Sequence, residues 1–275
     1  MDVSRAKTVI IALLAAFNIF LLGSNLVFND TQGVSKDTLE NARVILEQRG
    51  ITLECDIPVK ADDSHRIEYG KGEQDRESIA AALLDESFEV KDDSVYSNAT
   101  KEITFLGDAR FVYTDIMNQP AAINVSDERK ASEAAYRFME ARGLIDGKYV
   151  LDKLEKKGEN RFVLYYIEKY EGQLLFDNYF LIELNNNGVT RLEYQKYQIK
   201  GFSAENIEQP EVYQTLLSYF KKDRDIVITS IDSGYKLIDK AADDTSVSIE
   251  PLPVLRVMVK GNAEPLYITP HDISL

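Results

Sequence analysis

The feature that most constrains this chain is an apolar run near its amino terminus, within MDVSRAKTVIIALLAAFNIFLLGSN. Between Val9 and Gly23 the only polar side chain is that of Asn18, and the run can be extended to residues 8–28. Because a helix rises about 1.5 Å per residue, the longer run spans about 30 Å, the hydrocarbon thickness of a bilayer. The shorter run has the length of the apolar part of a signal peptide. Length alone allows a membrane helix or a cleaved leader.

The residues around the run favour a membrane helix. No Ala-x-Ala-like cleavage site follows it, since Ala15 and Ala16 lie inside the run. Ser24 stands at the position where a lipobox requires cysteine, so lipid attachment is excluded. A polar segment follows directly, as it does after an anchor. We therefore predict a transmembrane helix at residues 8–28.

The charges before this helix predict its orientation. Arg5 and Lys7 precede the run, and cations flanking a membrane helix favour the cytoplasmic side. We predict a cytoplasmic tail at residues 1–7 and a single-pass protein of the cell membrane. The rest of the chain then lies outside the cytoplasm.

One face of the predicted helix has the small side chains that close helix packing requires. On a helical projection these residues share a stripe: Ala12, Ala15, Ala16, Ile19 and Gly23. Asn18 lies at the edge of the stripe, where its amide costs free energy unless it pairs with another helix. We predict that this face packs against a second membrane helix. The alternative is that alanine is simply common in membrane helices and one asparagine is tolerated.

Charge and composition exclude several classes of partner and site. The chain has 275 residues and a net charge of −14, so it should repel nucleic acid and anionic lipid surfaces. Its partner surfaces should be basic or neutral, although solubility alone can explain the acidity. Cys55 is the only cysteine, so no intrachain disulfide can form. We expect a buried, inert thiol there.

The residue types needed for common catalytic and metal sites are scarce. The two histidines, His65 and His271, are far apart in the sequence, and a usual metal site needs several such ligands at short spacing. No G-x-S-x-G or phosphate-loop motif occurs. We therefore predict no enzymatic activity, no metal, no cofactor and no small-molecule substrate. A cell-wall hydrolase with a pair of carboxylates stays open, because the spacing of such a pair is spatial.

A short similarity suggests two related units in the outer part. The segments 41–51 and 134–144 both end in Glu-x-Arg-Gly followed by Ile or Leu, and each is predicted to be a helix closed by its glycine. The first helix is predicted at 35–49, and Ser126 is the predicted cap of the second. We predict a first α+β domain at residues 29–122 and a second at 123–275.

The second unit contains a run of strands with short turns. Strands are predicted at 149–156, 161–170, 173–184 and 189–199, which form an antiparallel meander over residues 149–200. The segment 205–275, with a helix at 210–222 followed by strands at 226–237, 252–260 and 266–269, resembles PepSY-like modules. The predicted fold class is α+β, with a transmembrane helix followed by helices packed on antiparallel sheets.

The second meander strand is apolar on both faces, which predicts a cover on each side. RFVLYYIEKY places Tyr166 on one face and Tyr165 and Ile167 on the other, whereas a half-exposed strand should alternate apolar and polar residues. The second cover can be another layer of this chain or a protein partner. Tyr165, Tyr166, Ile167 and Tyr170 form the predicted partner face, because tyrosine is frequent at interfaces.

The amino-terminal residues also form a motif: Met1, Asp2, Ser4, Arg5, Ala6, Lys7 and Thr8, followed by the apolar run with Asn-Ile-Phe-Leu-Leu at 18–22. In these 25 residues or so the chain resembles the YycI family of Gram-positive bacteria. Val3 stands where family members usually have tryptophan, and Leu255 where they usually have an aromatic residue.

The resemblance implies a function in signal transduction. It implies a non-enzymatic regulator that forms a heterodimer with a YycH-like protein and acts through membrane helices on the WalK (YycG) sensor histidine kinase, which controls cell-wall metabolism. The alternative from the last unit alone is a PepSY-like extracytoplasmic inhibitor or chaperone of a secreted protease.

Overall fold

A computed structural model gives the structure of residues 34–59, 64–70, 74–85, 87–118, 125–207, 209–222, 225–238, 250–269 and 272. The side chains of residues 64 and 204–206 are not included. The predicted membrane helix at residues 8–28 lies outside these ranges. Within them, no helix combines the length and the apolarity that a membrane crossing requires.

The described residues form a mixed α+β fold. The helices are α1 (Lys36–Gln48), α2 (Arg76–Leu84), α3 (Glu128–Ala141) and α4 (Val212–Tyr219). The first seven strands are β1 (Ile51–Leu53), β2 (Ser64–Gly70), β3 (Glu89–Asp92), β4 (Val95–Ser97), β5 (Lys101–Phe105), β6 (Arg110–Asp115) and β7 (Tyr149–Lys156). The others are β8 (Phe162–Tyr170), β9 (Gln173–Asn185), β10 (Gly188–Gln195), β11 (Gln198–Ile207), β12 (Ile226–Lys236), β13 (Leu252–Val259) and β14 (Leu266–Ile268).

The helix ends follow from local capping. Ser35 caps α1 by accepting a hydrogen bond from the backbone N–H of Thr38, and Asp127 caps α3 in the same way, one residue after the predicted cap. Gly50 and Gly143 follow α1 and α3 with positive φ angles of 75° and 65°, which glycine adopts without a Cβ penalty. The two similar segments thus have the same local structure. Whether the two units as wholes are related stays a prediction.

Twelve strands of the described ranges form one large sheet. Its main path is β14-β13-β12-β9-β10-β6-β5-β4-β3, with β1 added to β12 and β7-β8 added to β9. Most pairs are antiparallel, as predicted, but β1 with β12 and β9 with β12 are parallel. Parallel neighbours need long connections, and short-range turn signals do not reveal them.

The meander β7-β8-β9-β10 is present, but its last strand is shorter than predicted. The predicted strand at 189–199 is divided at Lys196 and Tyr197, and β11 then leaves the large sheet to pair with β2. The buried Asn178 side chain explains the break, because it accepts a bond from the backbone N–H of Tyr197 and donates one to its carbonyl. Those two backbone groups are therefore satisfied without a neighbouring strand.

The segment that follows the predicted membrane helix packs within the carboxyl-terminal part of the fold. α1 and β1 share one apolar core with α4, β12, β13 and β14. Arg49 donates hydrogen bonds to the carbonyls of Leu217 and Phe220 at 2.7 and 2.9 Å. These carbonyls lie at the end of α4, where the last backbone acceptors of a helix have no donor within the helix. Strands on the two sides of residue 122 also pair, at β6–β10 and β1–β12, and the division into domains there stays a prediction.

The segment 51–75 differs from its predicted structure. The predicted strand at 51–59 ends at Leu53, and Arg43 on α1 binds the carbonyls of Leu53 and Cys55 from the side chain. The polar stretch at 61–75, for which no strand was predicted, contains β2, in which the buried residues Ile67 and Tyr69 alternate with Arg66 and Glu68. Cys55 is partly exposed rather than fully buried, and burial raises the pKa of its thiol.

Candidate interaction cleft

A cleft of about 460 Å³ separates the meander from the β13–β14 hairpin. Its lower wall is the face of β7, β8 and β9 that points away from α3, and its upper wall is the hairpin. The lining residues are Asp152, Lys153, Glu155, Lys157, Val163, Tyr165, Leu181, Glu183, Arg256, Met258, Ala263, Glu264, Pro265 and Tyr267. Segments far apart in the chain therefore build one site.

Strand alternation explains which residues enter the cleft. On β13, Leu255, Val257 and Val259 belong to the core with α1 and α4. The intervening Arg256 and Met258 point to the opposite face, towards the meander, as period-2 alternation requires. A cleft with an apolar floor and a charged rim follows from this packing.

The floor of the cleft is apolar and only half-buried. Val163 and Leu181 of the lower wall and Met258 of the facing upper wall form this apolar surface and are of intermediate exposure. Apolar surface of this kind gains free energy when it is covered, at about 25 cal/mol for each Å² removed from water. The volume lies in the range of about 300–1,000 Å³ that is common for ligand sites. The cleft is therefore suited to receive a side chain or a small group.

Arg256 connects the two walls. Its guanidinium donates two hydrogen bonds to Asp152 on β7, at 2.8 and 2.7 Å, and one to Asp232 on β12 at 2.9 Å. It also lies over the ring of Phe176, 4.7 Å from the centroid. Burial by itself would lower the pKa of Arg256, but the bonds to the two carboxylates outweigh burial and raise it. Arg256 is therefore a charged clamp between meander and hairpin.

The other charges of the lower wall are paired with one another. Lys153 and Lys157 both bind Glu155, at 2.6 and 2.5 Å, and their hydrogen bonds hold the pKa of this carboxyl down at about 2. Glu183 binds Arg161 at 2.5 Å. These groups are satisfied within the chain, and they form a rim around the apolar floor.

Two tyrosines of the cleft have hydroxyl groups without a hydrogen-bond partner among the described residues. They are Tyr165 on β8 and Tyr267 on β14. Burial raises the pKa of both phenols, that of Tyr267 to about 12, and Asp152 adds to the increase at both, while Arg256 opposes it at Tyr267. Both hydroxyls are therefore neutral at physiological pH and can donate or accept a hydrogen bond.

The structure distributes the predicted partner face over separate environments. Tyr166 is buried beneath α3, where its hydroxyl lies 2.8 Å from that of Ser132. Ile167 is buried with Phe176 and Val254 on the opposite face. The second cover of β8 is thus a layer of the same chain, one of the two alternatives above.

Tyr165 and Tyr170 are the more accessible members of the predicted partner face. Tyr165 lines the cleft, and Tyr170 packs on Phe202 at a ring distance of 5.7 Å. Contact of these residues with a partner stays a prediction, and Tyr165 is the member that reaches the cleft.

The other predicted functional residues lie outside the described part of the chain. They are the orientation signals Arg5 and Lys7 and the helix-packing residues Ala12, Ala15, Ala16, Asn18, Ile19 and Gly23. Their roles stay predictions. Within the described ranges, no group of three or more His, Cys, Asp or Glu residues is arranged to hold a metal ion.

Arg256 is the residue that sequence reasoning missed. The sequence did contain a signal for it, because the segment PVLRVMV has one arginine in an otherwise apolar strand. A charged side chain in such a position is rarely buried without a partner. The partner Asp152 is 104 residues away, and no local pattern connects the two.

Comparisons with known proteins bear on the family and the fold. A family model described as YycI protein matches residues 29–267. No curated protein matches the chain.

The solved structures that are similar to this chain at low sequence identity include the following three. An uncharacterized protein from Eubacterium rectale has a TM-score of 0.49 at 13% identity, over 80% of this chain and 86% of that one. YycH from Bacillus subtilis has a TM-score of 0.48 at 12% identity, over 76% of this chain and 53% of that one. The carboxyl-terminal domain of Bacillus megaterium YpeB has a TM-score of 0.37 at 12% identity, over 86% and 93%.

The family match covers the described helices and strands as well as the cleft. It includes α1 at its beginning and Tyr267 near its end. It is also separate from the amino-terminal residues that carry the resemblance in the sequence, since it begins at residue 29. The chain belongs to the YycI family.

Proposed function

We propose that the chain is a non-enzymatic, membrane-anchored regulator of the WalK (YycG) sensor histidine kinase, and that it acts together with a YycH-like protein. The observation that carries the proposal is the YycI family match over residues 29–267. The resemblance of the amino-terminal residues to the same family supports it independently, because those residues precede the match.

In this proposal the predicted membrane helix changes the packing of the kinase's membrane helices. Ala12 and Ala16 allow close approach, and the Asn18 amide can bond across the helix pair. A tenfold change in a two-state kinase needs about 1.4 kcal/mol of difference in contact free energy. One close helix contact supplies a free energy of this order.

The fold supports transmission between the outer part and the anchor. α1 follows the predicted membrane helix and is held by Arg43 and Arg49, which bind carbonyls of β1, its following turn and α4. β1 also pairs with β12. A partner that binds the outer part and displaces this segment would therefore move the base of the anchor.

Substitutions in the predicted membrane helix test the proposal. We expect Asn18→Leu, and Ala12→Leu with Ala16→Leu, to change WalK autophosphorylation in proteoliposomes by about tenfold. Leu21→Ile lies on the opposite side of the helix and is the control. Normal kinase binding and normal phosphorylation in both test variants would show that the helix mechanism is wrong.

A soluble fragment separates the proposal from its alternative. A chain that begins at Ser35 lacks the predicted anchor, so it should fail to restore kinase regulation in cells that lack the full protein. Full restoration by this fragment would instead support an extracytoplasmic inhibitor or chaperone of the PepSY-like kind.

A further inference from the structure

The charges that line the cleft leave one carboxylate without an ion partner. Asp152, Glu155 and Glu183 are each paired with an arginine or lysine of this chain. Glu264, in the turn before β14, is exposed and has no ion pair or hydrogen bond within the described ranges. The cations of the cleft are already used by internal carboxylates. The unsatisfied charge of the cleft is therefore negative.

The polar groups nearest to Glu264 are also suited to a cation. Among the charges near the phenol of Tyr267, Arg256 has the largest effect and lowers its pKa, whereas Asp177, Asp152 and Glu264 raise it. The neutral hydroxyls of Tyr165 and Tyr267 can accept hydrogen bonds from an ammonium or guanidinium group. The ammonium of Lys236 already lies over the ring of Tyr267, 4.6 Å from the centroid, so the contact expected of this residue is through its hydroxyl.

The apolar floor suits the aliphatic stem of the same side chain. Lysine and arginine place their methylene groups along apolar surface and keep the charged end at a polar boundary. In the cleft, Val163, Leu181 and Met258 offer that surface, and the exposed Glu264 is part of the lining. An apolar centre surrounded by satisfied polar groups is also the arrangement of protein interfaces.

We propose that this cleft is a docking site for an extended segment of another protein, and that it receives a lysine or arginine side chain of that segment. The aliphatic stem lies on Val163, Leu181 and Met258, and the cationic end binds Glu264 and the hydroxyl of Tyr267. The net charge of −14 favours such a partner at longer range. The inference goes beyond the proposed function, because it holds or fails whatever protein supplies the segment.

Peptide binding to the full chain in nanodiscs of zwitterionic lipid tests the inference. The probes are fluorescent synthetic peptides that alternate valine with lysine, with glutamine or with glutamate, and empty nanodiscs give the background. We expect the lysine peptide to bind most tightly and the glutamate peptide least. Equal affinity for the lysine and glutamine peptides, or no binding of any peptide at about 1 mM, would overturn the proposal.

Three variants locate the binding. Glu264→Gln should lower the affinity for the lysine peptide about threefold, as expected for the loss of one exposed ion pair. The affinity for the glutamine peptide should not change. Leu181→Lys places a cation in the floor and should abolish binding of the lysine peptide. Leu106→Lys changes an exposed leucine outside the lining, after β5, and is the matched control.

The variants also distinguish other occupants. Glu264→Gln changes an exposed side chain, so it tests the site even if Leu181→Lys lowers stability, which thermal unfolding measures. If the lysine peptide binds the Leu181→Lys variant with the same affinity as the unchanged chain, the proposal is overturned. If no peptide binds and the unchanged chain instead self-associates in a way that Leu181→Lys abolishes, the cleft is assigned to a second copy of the chain. None of these measurements uses the kinase, so their failure is distinct from failure of the proposed function.

Discussion

At the scale of single residues, the cleft depends on charges that are neutralised across distant segments. Arg256 is 7% exposed in its side chain and holds Asp152 of β7 and Asp232 of β12. Burying a guanidinium costs several kcal/mol unless its hydrogen bonds are well formed. Its bidentate pairing with Asp152 and its bond to Asp232 satisfy both terminal nitrogens, and within the described ranges Nε has no partner.

Loss of the Arg256 clamp should lower stability strongly. Arg256→Met leaves two partly buried carboxylates without their cation, and we expect it to reduce the free energy of unfolding by about 3 kcal/mol. Arg161→Met removes the more exposed ion pair with Glu183 and should lower the free energy of unfolding by less than about 1 kcal/mol. Urea unfolding of both variants measures the difference, and equal losses would contradict it.

The pKa of Glu155 gives a second test at this scale. Hydrogen bonds from Lys153 and Lys157 hold this pKa at about 2, below the ordinary value of 4.5. Since the folded-state pKa is lowered, the pairing stabilises the fold above about pH 4.5 and is lost as the pH falls through about 2. Because Glu155 is about one-third exposed, solvent screens the pairing and the stability effect is small, and an NMR titration of its carboxyl group is the better measurement.

Substitution of the two lysines should return this carboxyl towards its ordinary pKa. We expect the Glu155 titration midpoint to rise in the combined variant Lys153→Gln with Lys157→Gln. Lys156→Gln is the control, because its ammonium lies over the ring of Phe162 at 5.9 Å. A midpoint that stays near about 2 without the two lysines would contradict this explanation.

At the scale of elements, the join between β9 and β12 determines how the hairpin meets the meander. The two strands are parallel there, with Gly234 opposite Leu174 and Tyr235 opposite Leu175. A Cβ on Gly234 would lie 2.4 Å from the carbonyl oxygen of Leu174 and 2.8 Å from the Phe176 ring. Glycine is thus needed at this position for close approach of the strands rather than for its φ angle.

A methyl group at Gly234 should therefore disrupt the join. We expect Gly234→Ala to lower the free energy of unfolding by about 3 kcal/mol, because the nearest obstacle is backbone, which cannot rotate away. Ser233→Ala, one residue earlier in β12, should have little effect. Thermal unfolding of the two variants is the measurement. An unchanged stability of the Gly234→Ala variant would show that the strands can move apart without loss of free energy of unfolding.

At the scale of the whole molecule, strands from both sides of residue 122 pair in one sheet. β6 is hydrogen-bonded to β10 over residues 110–114, and β1 pairs with β12. Pairing across the boundary couples the stability of the two parts. The amino-terminal segment with α1 is thereby joined to the part of the fold that forms the hairpin wall of the cleft.

This coupling predicts one cooperative unfolding transition. We expect circular dichroism and tyrosine fluorescence to give coincident urea transitions for the chain, because separating the parts would expose the edges of β6, β10 and β12. Two separate transitions would instead support autonomous domains at residues 29–122 and 123–275.

The sequence by itself determined the local features of this protein. Helix periodicity and caps located α1, α3 and α4, and short turns located the meander, because these signals act over a few neighbouring residues. The amino-terminal motif indicated the family, which the match over residues 29–267 shows. The cleft was only indicated, through the two apolar faces of β8.

Only the tertiary structure decided how the distant segments meet. The parallel pairings of β12, the departure of β11 after Tyr197 and the contact of Arg256 with Asp152 all join residues that no periodicity connects. Such contacts depend on chain closure over long separations and on the burial of charge, which are properties of the assembled molecule. The predicted partner face was therefore divided among a core, a second layer and a cleft, while the cleft itself came from strands in the middle and at the carboxyl-terminal end of the outer part.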